Sequence, residues 1–175
     1  MARIGIFGGS FNPPHLGHIL AVEEFREQLG LDRVLLVPAA VPPHKTLSAN
    51  TPSAEARLEM TRLAMRELPY VTVSDMELRR EGPSYTVDTI ALFREEYPDD
   101  ELYLLMGTDM FLSFDRWRAP EAIAREVTLV AARRTADSRL EDQAETLRRT
   151  LGARVLLLDN DCLPYSSTSV RALLA

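Results

Sequence analysis

Six short apolar runs, Ile4 to Phe7, Val34 to Val37, Val71 to Val73, Leu102 to Met106, Val127 to Ala131 and Val155 to Leu158, are separated by segments with helical periodicity. A chain patterned this way has few ways to fold. Continuous apolar runs suit strands buried on both faces, and the helical segments supply the crossovers that parallel neighbours need. Right-handed crossovers then wind one parallel sheet, α/β and Rossmann-like in class, with helices on both faces and ligands beyond the carboxyl ends of the strands. The expected strand order is 3-2-1-4-5 with room for a sixth. In that order Gly8 and Gly9, after strand 1, and Gly107 and Asp109, after strand 4, flank the switch point of the sheet.

The helix signals are local. Leu16 to Leu29 reads as the first helix with Gly30 as its C′ residue, and Thr51 with Pro52 offers an N-cap and N1 pair for a second running to Leu68. Val87, Ile90, Ala91 and Phe93 give a third its apolar stripe, closed by Pro98. The charged stretch Arg133 to Asp142 leads into a helical pattern from Ser138 to Leu151 that reads as surface decoration. With no repeat and no Gly/Ser linker, residues 1–175 read as one domain.

Charge and cysteine content narrow the function classes. Twenty Lys and Arg stand against 26 Asp and Glu, a formal charge of −6, which argues against a nucleic-acid surface. The single cysteine, Cys162, excludes an internal disulfide framework and a CxxC site, and reads as a passive thiol. MARIGIF is too short an apolar run for a secretory signal, and no stretch approaches the ~18 apolar residues of a membrane span, so a cytoplasmic protein is expected, with no membrane partner. A homo-oligomer is compatible with the sequence.

The segment GGSFNPPHLGH, residues 8 to 18, joins strand 1 to the first helix. Gly8 and Gly9 let the backbone approach a ligand closely, and the free N–H groups of the helix start attract phosphate. His15 and His18 share one face of the first turn, though their spacing does not match helical metal motifs, whose histidines stand four apart around a glutamate. PPHK at 42 to 45 adds His44 and Lys45, and SSTSVR at 166 to 171 adds hydroxyls and Arg171 at a second helix start, where Ser167 or Thr168 can serve as the N-cap. Taken alone, Lys45 reads as a solvated charge and Trp117 as core packing.

Together with GPSYTVDT at 82 to 89 and GTDMFLSFDRW at 107 to 117, these motifs resemble the bacterial nicotinate-nucleotide adenylyltransferases, within the larger family of nucleotidyltransferases carrying an HxGH signature. The resemblance covers residues 3 to 134 and 164 to 173. It implies transfer of the adenylyl group of ATP to nicotinate mononucleotide, giving deamido-NAD and pyrophosphate in NAD biosynthesis. By resemblance, ATP lies against Gly8, Gly9, Ser10, Phe11, His15, His18, Gly107, Asp109, Ser166, Ser167, Thr168 and Arg171. His18 is then on the phosphates undergoing transfer, His15 beside the triphosphate, and Lys45 a mobile cation closing on the phosphates; these three and Arg171 form the implied catalytic group. Nicotinate mononucleotide is implied against Ser10, His44, Lys45, Thr86, Asp109, Trp117, Arg118 and Arg134, with the indole of Trp117 a suitable platform for a pyridinium ring. The implied Mg2+ is bound mainly through the ATP phosphates, with no metal site of the protein's own.

Phosphopantetheine adenylyltransferase is the nearest rival, and a non-catalytic nucleotide-binding sensor is a rival of another class. The usual GxFDP reads GSFNP here, so Asn12 replaces an aspartate and removes a negative charge beside the phosphates. The chain stops at Ala175, which leaves the final helix short and dependent on docking for its stability.

Overall fold

The computed structural model describes residues 1–133, 137–159 and 166–174. The strands are β1 (Arg3–Gly9), β2 (Arg33–Pro38), β3 (Val71–Val73), β4 (Glu101–Met106), β5 (Thr128–Arg133) and β6 (Arg154–Asp159). The helices are α1 (Leu16–Leu29), α2 (Ala54–Met65), α3 (Thr86–Glu96), α4 (Thr108–Leu112), α5 (Pro120–Glu126), α6 (Ser138–Leu151) and α7 (Ser167–Leu174). All strand pairs are parallel, in the order β3-β2-β1-β4-β5-β6, so the expected order holds and the sixth strand extends the sheet.

Pleating sends alternate residues of each strand to opposite faces, and two cores result. Ile4, Ile6, Leu35, Val37, Leu104 and Met106 meet Ile90 and Phe93 of α3, Ile123 of α5 and the apolar stripe of α6. Val34, Leu36, Tyr103, Leu105 and Val130 meet Val22, Phe25 and Leu29 of α1 and Met65 of α2. Burial on both faces is what requires the continuous apolar runs. Gly5 sits in the central strand where a Cβ would stand 2.7 Å from a Leu31 methyl and 3.0 Å from a Leu105 methyl, so any larger residue would have to displace these leucines. Gly30 closes α1 at φ 60°, its N–H bonded to the Arg26 carbonyl, as the C′ reading requires.

Four local expectations are corrected. The N-cap of α2 is Ser53, whose Oγ accepts from the Ala56 N–H at 3.1 Å, while the Thr51 hydroxyl pairs with Ser48; the helix ends at Met65 rather than Leu68. Ala91 is exposed, and Thr89 takes its place on the buried face of α3. α6 is not surface decoration, because Leu140, Ala144 and Leu147 fall on one helical face and are fully buried. The hydroxyl capping α7 is that of Ser166, which accepts from the Ser169 N–H at 3.0 Å while Ser169 Oγ accepts from the Ser166 N–H at 3.0 Å. Among the described residues no helix is long and apolar enough to cross a membrane. Cys162 lies outside them.

Candidate active site

Phe7 pairs with Leu105, so the chain leaves the sheet from Gly9 and from Gly107 on adjoining strands, and then turns to opposite faces. The crevice between is where the motifs converge. After Gly9 the chain turns sharply: Phe11 takes φ 47°, a left-handed conformation costing a bulky residue ~1–3 kcal/mol, and its ring is buried at 2% exposure. A Cβ on Gly9 would come within 3.3 Å of that ring.

His15 is the N-cap of α1 rather than a residue of its first turn. Its Nδ1 accepts from the Gly17 N–H at 3.1 Å, and the Nδ1 of His18 accepts from the His15 N–H at 3.1 Å, closing a reciprocal capping box made of two imidazoles. The rings stack with centroids 3.9 Å apart, and the Phe11 ring meets His18 edge-on at 4.9 Å. Burial pulls the His18 pKa down to about 4, with the neighbouring His15 adding to the effect, and burial lowers His15 as well. Both imidazoles are therefore neutral near pH 7. Because each Nδ1 is an acceptor, each proton sits on Nε2, which leaves two Nε2–H donors side by side. The first turn of α1 carries no acidic residue, so the positive end of its dipole is uncompensated.

α7 is clamped to this turn. Ser167 Oγ donates to the Pro13 carbonyl at 2.9 Å, and the Arg171 guanidinium donates to the Asn12 carbonyl and to Thr168 Oγ1 at 3.2 Å. The two helix starts thus stand beside one turn, although 154 residues separate Ser167 from Pro13. Neither carries acid in its first turn. The docking that a short final helix needs is made by these polar contacts, since α7 buries no side chain fully.

A second group gathers around Trp117. The His44 ring stacks on Trp117, centroids 5.4 Å apart and planes 26° from parallel, beside a pocket of about 390 Å³ lined by His44, Ser113, Arg116 and Trp117. Trp117 is 7% exposed within the core on the α3 side of the sheet, and its indole N–H donates to Ser113 Oγ at 3.3 Å, so the core-packing reading holds. Arg118 lies over the Tyr85 ring at 4.6 Å, which ties the segment after β4 to the start of α3. No side chain caps α3, and the N–H groups of Thr86 and Val87 donate to no group among the described residues. Ser84 clips the PPHK loop to this helix start: its N–H donates to the Val41 carbonyl at 2.9 Å, and its Oγ accepts from the Val41 N–H at 3.2 Å. Lys45 is exposed on that loop, and Asp109 is exposed in the first turn of α4. Arg134 lies outside the described residues.

Sequence reasoning missed the polar cluster beneath α3. Thr89 Oγ1 donates to the buried carboxyl of Glu77 at 2.8 Å and accepts from Arg80 at 2.8 Å. Burial pushes Glu77 up to about 7, against the opposing hydrogen bonds of Thr89 and Ser84 and the charge of Arg80. A glutamate three before an arginine, just ahead of GPSYT, was the available signal.

The cytidylyltransferase-like family matches residues 6–173 of the chain. A Thermus thermophilus protein named "Probable nicotinate-nucleotide adenylyltransferase" is 52% identical over 132 residues, 75% of this chain and 69% of its own length. One of the same name from Exiguobacterium sibiricum is 38% identical over 169 residues, 97% of this chain and 84% of its own. The structure of Plasmodium falciparum nicotinic acid mononucleotide adenylyltransferase complexed with NaAD superposes with a TM-score of 0.77 at 18% identity, covering 100% of this chain and 85% of that one, which establishes a shared fold.

Proposed function

The chain belongs to the cytidylyltransferase-like family and, within it, to the nicotinate-nucleotide adenylyltransferases, and from that premise we propose that it joins the AMP moiety of ATP to nicotinate mononucleotide in the crevice at the ends of β1 and β4. A phosphate oxygen of the mononucleotide attacks the α-phosphorus of ATP in line. The bond from the α-phosphorus to the bridging oxygen breaks, and pyrophosphate leaves with that electron pair. No enzyme nucleophile is needed, so the protein's task is to align two anions and stabilise the charge that develops between them.

The observation that carries this reading is the pair of neutral imidazoles at the start of α1. Their Nε2–H groups donate without requiring a proton to be taken up first, and they stand where two helix dipoles leave positive charge unanswered. In this reading His18 donates to the α-phosphate, and His15, Ser167, Thr168 and Arg171 hold the β and γ phosphates. Ser10 and Lys45 take the acceptor phosphate. Trp117 receives the pyridinium ring, with the N–H groups of Thr86 and Val87 and the side chain of Arg118 near its carboxylate. His44, now stacked on Trp117, vacates or shares that face. Arg134 is assigned to the acceptor by motif alone.

Among the described residues no three His, Cys, Asp or Glu side chains converge. We assign a divalent cation, Mg2+, to the triphosphate, with Asp109 the carboxylate available to its water shell. When bound it neutralises polyphosphate charge.

The reading is tested by pyrophosphate release with ATP and Mg2+ against nicotinate mononucleotide, nicotinamide mononucleotide and phosphopantetheine. Turnover with the first is expected. Turnover with phosphopantetheine alone would reassign the acceptor, and nucleotide binding without turnover would leave a sensor.

A further inference from the structure

Arg57 is 1% exposed and lies in the first turn of α2. Its guanidinium touches no carboxylate within ion-pair distance among the described residues; Glu55 acts on it only at longer range. Four main-chain carbonyls receive it instead: Ser10 at 2.8 Å and Ala39 at 2.7 Å from Nη1, Ala40 at 3.3 Å from Nη2, and Pro52 at 3.2 Å from Nε. As a contribution to stability this is a poor arrangement. A buried charge without a counter-ion is costly, a cation at a helix N-terminus opposes the dipole, and an apolar side chain of similar volume would cost less.

The geometry gives the arrangement another purpose. Across a trans peptide the carbonyl and the following N–H point in opposite directions. By drawing in the carbonyls of Ser10, Ala39 and Ala40, Arg57 turns the N–H groups of Phe11, Ala40 and Val41 away from itself. The Val41 N–H meets Ser84 Oγ, while those of Phe11 and Ala40 donate to no group among the described residues. The loops so held are GGSF and PPHK, whose junction also carries Ser10 and Lys45.

We propose that Arg57 is a positioning residue for phosphate: it orients the peptides where the GGSF and PPHK loops meet, and its uncompensated charge is balanced by a phosphate of the bound substrate. The proposal rests on the adenylyl-transfer reading for the identity of the ligands. A purely structural prop would affect charged and uncharged ligands alike, whereas a charge awaiting a phosphate discriminates between them.

The test is titration calorimetry of wild type, Arg57→Met and Arg57→Lys with two ligand pairs, nicotinate mononucleotide against its riboside and ATP against adenosine, with folding checked by circular dichroism. Arg57→Met is expected to weaken at least one phosphate-bearing ligand by about tenfold while its phosphate-free partner changes less than about threefold, and Arg57→Lys, which keeps the charge, is expected to recover most of the loss. Should Arg57→Met fail to fold, Arg57→Gln decides: it keeps an N–H donor for the carbonyls but no charge, so the phosphate-bearing ligand still weakens by about tenfold while its phosphate-free partner changes less than about threefold. Equal change for both members of each pair, or none, overturns the proposal. If the wild type binds no nicotinate mononucleotide, the functional reading fails separately, and the ATP and adenosine pair alone judges Arg57.

Discussion

Replacing His18 with alanine removes three things: the Nε2–H donor, the acceptor for the His15 N–H, and the ring stacked on His15. The last two are structural. Loss of one capping hydrogen bond costs about 1 kcal/mol, which leaves the variant folded at 25 °C. The first is functional, and removing a single preorganised donor that strengthens as charge develops costs ~10²–10³ in kcat. ATP affinity should change little, because the contact matters more in the transition state than in the ground state. The pH profile separates this account from one in which His18 acts as a cation. With a pKa of about 4 in the folded protein, His18 is neutral from pH 5 upward, so kcat/KM should show no limb near 6.5 from this residue. Steady-state kinetics of pyrophosphate release between pH 5.5 and 8.5, for both proteins, is the assay. Wild-type kcat in a folded variant, or a limb near 6.5 that His18→Ala abolishes, would refute the reasoning.

Two further outcomes follow from the same geometry. Arg171→Ala should weaken ATP by about tenfold and the acceptor by much less, and should loosen α7 from Asn12, read as faster proteolysis of the C-terminal segment; unchanged ATP affinity in a folded variant would return Arg171 to a purely structural role. Glu77→Gln should change how stability depends on pH. The folded carboxyl at about 7 keeps a proton that the unfolded chain releases near 4.5, so this group's contribution is full below 4.5 and declines as pH rises to 7, by about 3 kcal/mol at ~1.4 per unit. His18 runs the other way, its folded pKa of about 4 lying below 6.5, so its contribution is full above 6.5 and lost as pH falls toward 4. In wild type the two slopes oppose one another between 4.5 and 6.5. Glu77→Gln removes the opposing slope and leaves those of His18 and His15, which have the same sign, so denaturant titrations should show stability rising more steeply across that window than in wild type; parallel curves for the two proteins would contradict the assignment.

The sheet was legible because strands buried on both faces leave continuous apolar runs, and α1 because Gly30 and the HLGH segment bracket it. Elements whose identity depends on distant partners were not. Leu140, Ala144 and Leu147 commit α6 to the core, yet they are three positions among Arg139, Glu141, Asp142, Glu145, Arg148 and Arg149, so its charge outweighed its stripe. Where several hydroxyls adjoin, as at Ser166 to Ser169, docking chooses the cap: the Ser167 hydroxyl is taken by Pro13. The site residues lay in compact motifs and were named from them. The capping box that keeps two histidines neutral was not visible, since it depends on which nitrogen faces the backbone. Arg57 was missed altogether, because its partner Ser10 stands 47 residues away and is a main-chain carbonyl, which no side-chain pattern reveals.

The central claim is that this crevice joins AMP to a pyridine mononucleotide bearing a carboxylate. The backbone N–H groups of Thr86 and Val87, which donate to no group among the described residues, can donate to that carboxylate but face the NH₂ of the amide as donor to donor, at ~1–3 kcal/mol for each mispaired buried group. The ratio of kcat/KM for nicotinate over nicotinamide mononucleotide, under identical ATP and Mg2+, measures it directly. Two such contacts predict a ratio of at least tens-fold in wild type, with a raised KM for the nicotinate acceptor in Trp117→Ala. A wild-type ratio near one would contradict the acceptor assignment.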